Sequence, residues 1–186
     1  MAMVNEDEHL RYPIGKEADR EIYNSLCGDA LKFELLNEIK MLPAMLEFAI
    51  QNLDAAQLDT PYRPGGWTVH QLVHHIADSH MNAYIRFKLG LTEDNPVIKT
   101  YDEKEWAMLS DTAKLPVNIS LTLLHALHVR WYQLMSDMTP DQWERSVYHP
   151  DNKRQIRLSE LLKTYAWHGL HHTAHITKLR ERMHWD

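Results

Sequence analysis

The chain has 186 residues, 44% of them hydrophobic and 25% charged, which suits one globular domain spanning 1–186 with a sizeable core. Its 20 basic and 26 acidic residues give a formal charge of -6, and no basic run is interleaved with aromatics, so no nucleic-acid partner is expected. No stretch of about 20 apolar residues is present to span a membrane as a helix. The acidic opening MAMVNEDEHLRY lacks the apolar region of a signal peptide. The single cysteine, Cys27, leaves no intramolecular disulfide and agrees with a reducing, cytoplasmic setting. Its neighbours Leu26, Gly28 and Asp29 offer no positive charge to activate a thiolate. The outlier of the composition is its 13 histidines.

Residues 1–28 show no sustained periodicity and read as an N-terminal arm, with a turn at Tyr12–Gly15. Helical spacing of Leu31, Leu35, Ile39, Leu42, Leu46 and Ala49 predicts a first helix over 29–52, kinked or divided at Pro43. Asp54 to Gln57 has the pattern of a capping box opening one short turn, and residues 60–66 form a Pro- and Gly-rich loop. Thr68 then caps a second helix running to about Leu89, which Gly90 ends. Its apolar face is Val69, Leu72, Ile76, Ala83 and Phe87, and beside it runs a polar stripe of His75, Ser79, Asn82 and Arg86. His74 points away from both. Among the histidines of this helix, His75 alone borders the core and has polar companions. A boundary residue hydrogen-bonded to a neighbour would look the same.

Residues 91–117 form a long connection broken at Asn95-Pro96 and Leu115-Pro116, with one short helix between Tyr101 and Leu109. Connections of this length often act as lids. A third helix over 118–138 turns Leu121, Leu124, His125, His128, Trp131, Tyr132 and Met135 inward. His125 and His128 are rival metal ligands, although such histidines more often bond a backbone carbonyl. Thr139-Pro140-Asp141-Gln142 opens a short helix, Tyr148 to Asn152 is a turn, and Ser159 can cap a last helix ending near Arg182.

That last helix carries His168, His171, His172 and His175. The pairs His168/His172 and His171/His175 have i,i+4 spacing, which lets two imidazoles reach one ion. A histidine-rich surface has the same spacing. On the helical wheel, however, His168 and His172 lie within the apolar stripe of Leu161, Tyr165 and Leu179, while His171 lies at its edge. Burying several unpaired imidazoles is costly, and a shared metal removes the cost. Four long helices without a convincing strand predict an all-α four-helix bundle, an architecture that commonly builds metal sites between facing helices.

Several blocks now in view resemble the DinB/YfiT-like family: Tyr12-Pro-Ile-Gly15, Leu58 to Thr68, His74 to Lys88, Leu91 to Asp94, Tyr101-Asp-Glu103, His128-x-Arg-Trp131, His149-Pro150 and Tyr165 to Ile176. The family is described as metal-dependent hydrolases, and its YfiT branch, to which these blocks are specific, includes bacillithiol transferases. The resemblance implies a cytoplasmic four-helix bundle that forms a homodimer. It also implies one divalent metal per chain, zinc or nickel, held by His75, His168 and His172. Residues 16–30 do not match the family pattern.

Three neutral imidazoles leave an ion its full charge and at least one open position, the pattern of a catalytic site. Three functions fit. The first is a thiol S-transferase that uses bacillithiol or a similar thiol against a small electrophile. The second is a hydrolase acting through metal-activated water. It would want a carboxylate base, and Asp78, Glu93, Asp94, Asp102 and Glu103 are the acids on hand. The third is a non-catalytic metal- or ligand-binding stress protein. Ser79, Asn82 and Arg86 are placed to bind a cofactor thiol, and Arg86, Asn82 and Asp78 are candidate catalytic groups. Arg86 and Arg63 could take a substrate carboxylate, or could serve as ordinary surface ion pairs.

Overall fold

The computed structural model describes residues 6–25 and 28–185, so Cys27 lies outside the described residues. The arm forms α1 (Glu6–Arg11), a 3-10 turn (Glu17–Asp19) and α2 (Ile22–Ser25). The body follows as α3 (Gly28–Ile50), α4 (Ala55–Leu58), α5 (Val69–Thr92), α6 (Glu103–Trp106), α7 (Ser110–Lys114), α8 (Val117–Ser136), α9 (Pro140–Glu144), β1 (Ser146–His149), β2 (Arg154–Arg157) and α10 (Leu158–Met183). The long helices α3, α5, α8 and α10 make a four-helix bundle. None of the described helices is long and apolar enough to cross a membrane.

The main contacts are α3 with α8, α8 with α5, α5 with α10, and α10 with α3. Around the bundle the order is therefore α3, α8, α5, α10, so α3 lies diagonally across from α5 and α8 from α10, while α5 and α8 are neighbours both in sequence and in space. The arm lies along α10: the Trp167 indole donates to Gly15 O at 3.2 Å, and the Tyr23 hydroxyl donates to Lys163 O at 3.1 Å. A half-buried Arg20–Glu38 pair at 2.6 Å ties the arm to α3.

Local signals set most boundaries. Capping boxes form at Asp54/Gln57, Thr68/Gln71 and Thr139/Gln142, each with the side-chain oxygen accepting from the residue three positions on. Four details differ from the sequence reading. Pro43 neither divides nor ends α3, which runs unbroken through it. Gly90 lies inside α5, which continues to Thr92; a Cβ there would come 2.8 Å from Leu158 Cδ2, so the glycine serves close packing. The connection holds two short helices instead of one. Finally, residues 146–157 form an antiparallel hairpin, with Val147 opposite Ile156, and Arg157 precedes α10 with no side-chain cap from Ser159. Buried Val147 and Ile156 hold this hairpin to the core. Its outer edge clips the long connection, since Tyr148 N donates to Pro96 O at 2.8 Å and Ile98 N to Tyr148 O at 3.0 Å.

Two apolar clusters fill the bundle. One gathers Leu35, Ile39, Phe87, Trp131, Leu158 and Tyr165; the other gathers Leu42, Leu46, Leu72, Ile76, Leu124 and Ile176. On each helix the gap between the clusters falls at the same level: after Ile39 on α3, at Ser79 and His80 on α5, at His128 on α8, and at His168 to His175 on α10. A layer of histidines thus divides the core.

Gly169 lets α10 approach α3 at this level, since a Cβ would meet Leu42 Cδ2 at 2.5 Å and Cδ1 at 2.8 Å. Leu42 is 1% exposed and has no room to withdraw. Gly169→Ala gains about 1 kcal/mol of helix propensity but overpacks the core at a cost of about 1–3 kcal/mol. The thermal midpoint should fall, and an unchanged or higher midpoint would show that Leu42 yields freely.

Candidate metal centre

The site lies in the seam between α5 and α10. His75 on α5 is buried, and its Nε2 lies 3.3 Å from His168 Nε2 on α10. His172, one turn further along α10, sits edge-on to both, with ring centroids 5.0 Å from His75 and 4.4 Å from His168. One ring nitrogen from each of the three lies within 4.8 Å of the others. Burial pushes His75 down to about 4, and it drives His168 and His172 well below the ordinary range, with mutual repulsion adding to the effect. The three are therefore neutral, with lone pairs free for a cation. His172 Nδ1 is buried without a hydrogen-bond partner. A convergent set of neutral imidazoles, one with an orphaned nitrogen, fits a divalent first-row ion.

A second trio, His171, His172 and His175, also converges, with His171 Nε2 3.1 Å from His175 Nε2. It shares His172 with the first trio. Arg63 and Arg182 act on His175, whose pKa falls to about 3, mainly through burial, and their charges oppose a second cation there. His171 is buried against Trp167, so it is more enclosed than its edge position on the wheel suggested.

The rival ligands separate. His125 is exposed and pairs with Glu47 at 3.0 Å. His128 is buried and meets the Ile39 carbonyl at 2.6 Å. His74 does not point away into solvent: it is buried under α8, with Nδ1 2.7 Å from Ser120 Oγ. The sequence reading passed over His80. It is completely buried, with Nε2 3.3 Å from His168 Nδ1 and Nδ1 3.0 Å from His128 Nε2.

Of the polar stripe, Ser79 Oγ comes 3.5 Å from His168 Nε2. The Arg86 guanidinium donates to the Tyr165 hydroxyl at 2.6 Å and to Lys99 O at 3.4 Å, and among the described residues it makes no surface ion pair. Asn82 turns its amide onto its own helix, donating to Asp78 O at 2.9 Å. Burial raises Asp78 to about 6, with Asp111 adding to it. Arg63 lies over the Tyr62 ring. Tyr101, on the connection held by the hairpin, also belongs to this region. Burial pushes its phenol up, Glu103 and Tyr165 push the same way, and Ser79 and Arg86 pull it back. Glu103 is raised by partial desolvation against the pull of Arg86. The sequence marked Tyr101 only as part of the Tyr101-Asp-Glu103 block and as the start of a short helix, and nothing in it placed the phenol beside Ser79 and Arg86.

The sequence profile of the DinB superfamily matches residues 38–176. The chain belongs to the DinB superfamily. It is 51% identical over 176 residues to the "Putative metal-dependent hydrolase" of Bacillus mycoides, covering 95% of this chain and 98% of that one. It is 52% identical over the same length to the protein of that description in Oceanobacillus iheyensis, covering 94% and 98%. The structure of YfiT from Bacillus subtilis, described as "a probable metal-dependent hydrolase with an unusual four-helix bundle topology", is similar with a TM-score of 0.89 and 48% identity, over 96% of this chain and 99% of that one. The mycothiol-dependent maleylpyruvate isomerase shares the fold at a TM-score of 0.57 and 16% identity, over 85% and 63%. These DinB relatives place the chain among proteins named for metal-dependent enzymatic chemistry.

The buried imidazoles set an acid limit on the metal-free protein. His75 and His128 are held at about 4 by burial, although the Ile39 carbonyl pulls His128 back up; both return to about 6.5 on unfolding. Between these values the unfolded chain binds more protons than the folded one. Stability is therefore complete above about pH 6.5 and is lost as pH falls toward 4, by about 1.4 kcal/mol per pH unit for each such group. Asp78 acts in the opposite sense, as one group against several. The denaturant midpoint should be clearly lower at pH 5 than at pH 7; a flat profile would mean that the imidazoles are not held neutral.

Proposed function

We propose that this DinB-superfamily chain is a metal-dependent enzyme whose ion is held by His75, His168 and His172, and that it transfers a small thiol, of the bacillithiol kind, to an electrophile. A divalent ion so held supplies an open position that acidifies a bound thiol or water. The observation carrying the thiol reading is the charge of the lining. Around the three imidazoles stand Ser79, Tyr101, Tyr165 and the cationic Arg86; neither convergent group of ligand atoms includes a carboxylate, and Glu103, the acid that acts on Tyr101, is drawn toward Arg86. A water nucleophile calls for a general base beside it. An ionised thiol needs none, and it favours a cationic, hydroxyl-rich lining.

Each group then has a task. Arg86, fixed by the Tyr165 hydroxyl, offers its remaining donors to an anionic group of the thiol or the electrophile. Ser79 and Tyr101 supply hydroxyl donors to charge that develops beside His168. The connection carrying Tyr101 brings its phenol beside Ser79 and Arg86.

Hydrolysis is the second reading. It is favoured by the names of the relatives and by Glu103, an acid raised within reach of Arg86 that could serve as a base. The two readings separate in one experiment: the zinc-loaded protein is offered a chromogenic aryl halide with a thiol, and a nitrophenyl ester without one. Conjugation that needs thiol and follows zinc content supports the transferase. Ester cleavage without thiol, together with no conjugation, replaces it with the hydrolase.

The ligand assignment has its own test. His75→Ala, His168→Ala and His172→Ala should each lose most of the roughly one equivalent of zinc retained by the wild type after desalting, and His125→Ala should keep it. Full zinc in His168→Ala would refute the assignment.

A further inference from the structure

A proline in a helix interior has no N–H for the carbonyl four residues back. In α3 that proline is Pro43, and the carbonyl it frees is Ile39 O. This carbonyl is not left orphaned, because His128 Nδ1 on α8 lies 2.6 Å from it. The bond is the first of a series. His128 Nε2 lies 3.0 Å from His80 Nδ1 on α5, and His80 Nε2 lies 3.3 Å from His168 Nδ1 on α10. His128 and His80 are buried, so water offers these nitrogens no competing partners.

Hydrogen-bond polarity makes the series directional. A carbonyl oxygen only accepts, so His128 must carry its proton on Nδ1. Neutral imidazole has one N–H, so His128 Nε2 is a lone pair and accepts. His80 must then donate from Nδ1, which leaves its Nε2 as an acceptor. His168 must in turn donate from Nδ1, which leaves its Nε2 unprotonated. That nitrogen is the one facing His75 Nε2 at 3.3 Å. Both relay histidines are buried, and the partners their nitrogens meet are an uncharged carbonyl and other imidazoles, with no carboxylate among them to balance a second proton.

We propose that the carbonyl freed by Pro43 sets the tautomer of His168 through His128 and His80, and so aims the His168 Nε2 lone pair into the metal centre. His128 and His80 are positioning residues. They touch no substrate and hold no ion, and they act by making one of the two neutral forms of His168 the favoured one. This goes beyond the metal assignment but rests on it for its consequence; the tautomers themselves do not depend on it. The expected magnitude is that of partners behind a ligating histidine, whose loss commonly weakens metal binding 10–100-fold.

Two measurements test the proposal. In the zinc-loaded wild type, long-range proton–nitrogen NMR correlation should show His80 and His128 both neutral with the proton on Nδ1. A His80 proton on Nε2 would overturn the relay whatever the metal does. Zinc affinity is then measured by chelator competition for His128→Leu, which removes both bonds, and for His128→Gln, whose amide can donate to Ile39 O and accept from His80. His128→Leu should bind zinc 10–100-fold more weakly, with the His80 proton moving to Nε2. His128→Gln should stay within a few-fold of wild type, as should His125→Leu on the exposed face of the same helix. Wild-type affinity in a folded His128→Leu would overturn the coupling to the metal. If His128→Leu does not fold, the wild-type tautomers and His128→Gln still decide: a 10-fold or greater loss in His128→Gln with Nδ1 protons unchanged would also overturn it. Failure of the wild type to bind zinc would instead remove the metal assignment, and the coupling with it.

Discussion

An imidazole taken out of water must find partners for both ring nitrogens or lose a few kcal/mol of free energy. This bundle buries seven histidines, His74, His75, His80, His128, His171, His172 and His175, and partly buries His168 among them. Most of the internal design follows from that constraint. The apolar core is divided in two because a polar layer must pass through it at one height on all four helices. Within the layer, imidazole meets imidazole, hydroxyl or backbone carbonyl, and burial keeps the rings neutral. Neutrality in turn makes the lone pairs available, which is the state a metal ion requires.

The ring order of the helices decides which histidines meet. Because α5 lies between α8 and α10, His75 and His80 can serve different neighbours although they share one helix. They stand about 140° apart around its axis. His75 faces the α10 seam, and His80 bridges from His168 to α8. The relay from Ile39 visits α3, α8, α5 and α10 in the order in which they pack, crossing one interface per bond. A helix pairing that followed the sequence would keep the His80–His128 bond but lose the crossings from α3 to α8 and from α5 to α10.

Much of this was legible in the sequence, for local reasons. Thr68, Thr139 and Asp54 marked helix starts because capping is a matter of three or four residues. The apolar stripe placed His168 and His172 inward because helical periodicity is local too. What failed to show depended on other elements. The strands Ser146–His149 and Arg154–Arg157 are four residues each, too short for alternation to register, and the first is held at Tyr148 by Pro96 and Ile98 from the distant connection. Pro43 looked like a break because its missing bond is visible in sequence, whereas the replacement donor, His128, lies 85 positions further along the chain. His80 and His74 could not be placed without knowing which faces of α5 meet α8 and α10. Tyr101 could not be placed without the hairpin that pins its loop.

The placement of α3 diagonally from α5 and of α8 diagonally from α10 also affects how the protein comes into being. Both principal neighbours of α10, namely α3 and α5, precede it by well over 60 residues, and α3 finds its other neighbour only in α8. Little native packing is therefore local, and closing such separations is what slows folding. A chain emerging from the ribosome presents α3, α5 and α8 with the seam for α10 still open. Synthesis proceeds at about 5–20 residues per second, so those apolar faces wait seconds for the residues of α10. The helix with the densest set of histidines is also the last to be made. The bundle and its histidine layer therefore become complete in a single step, once α10 has been made.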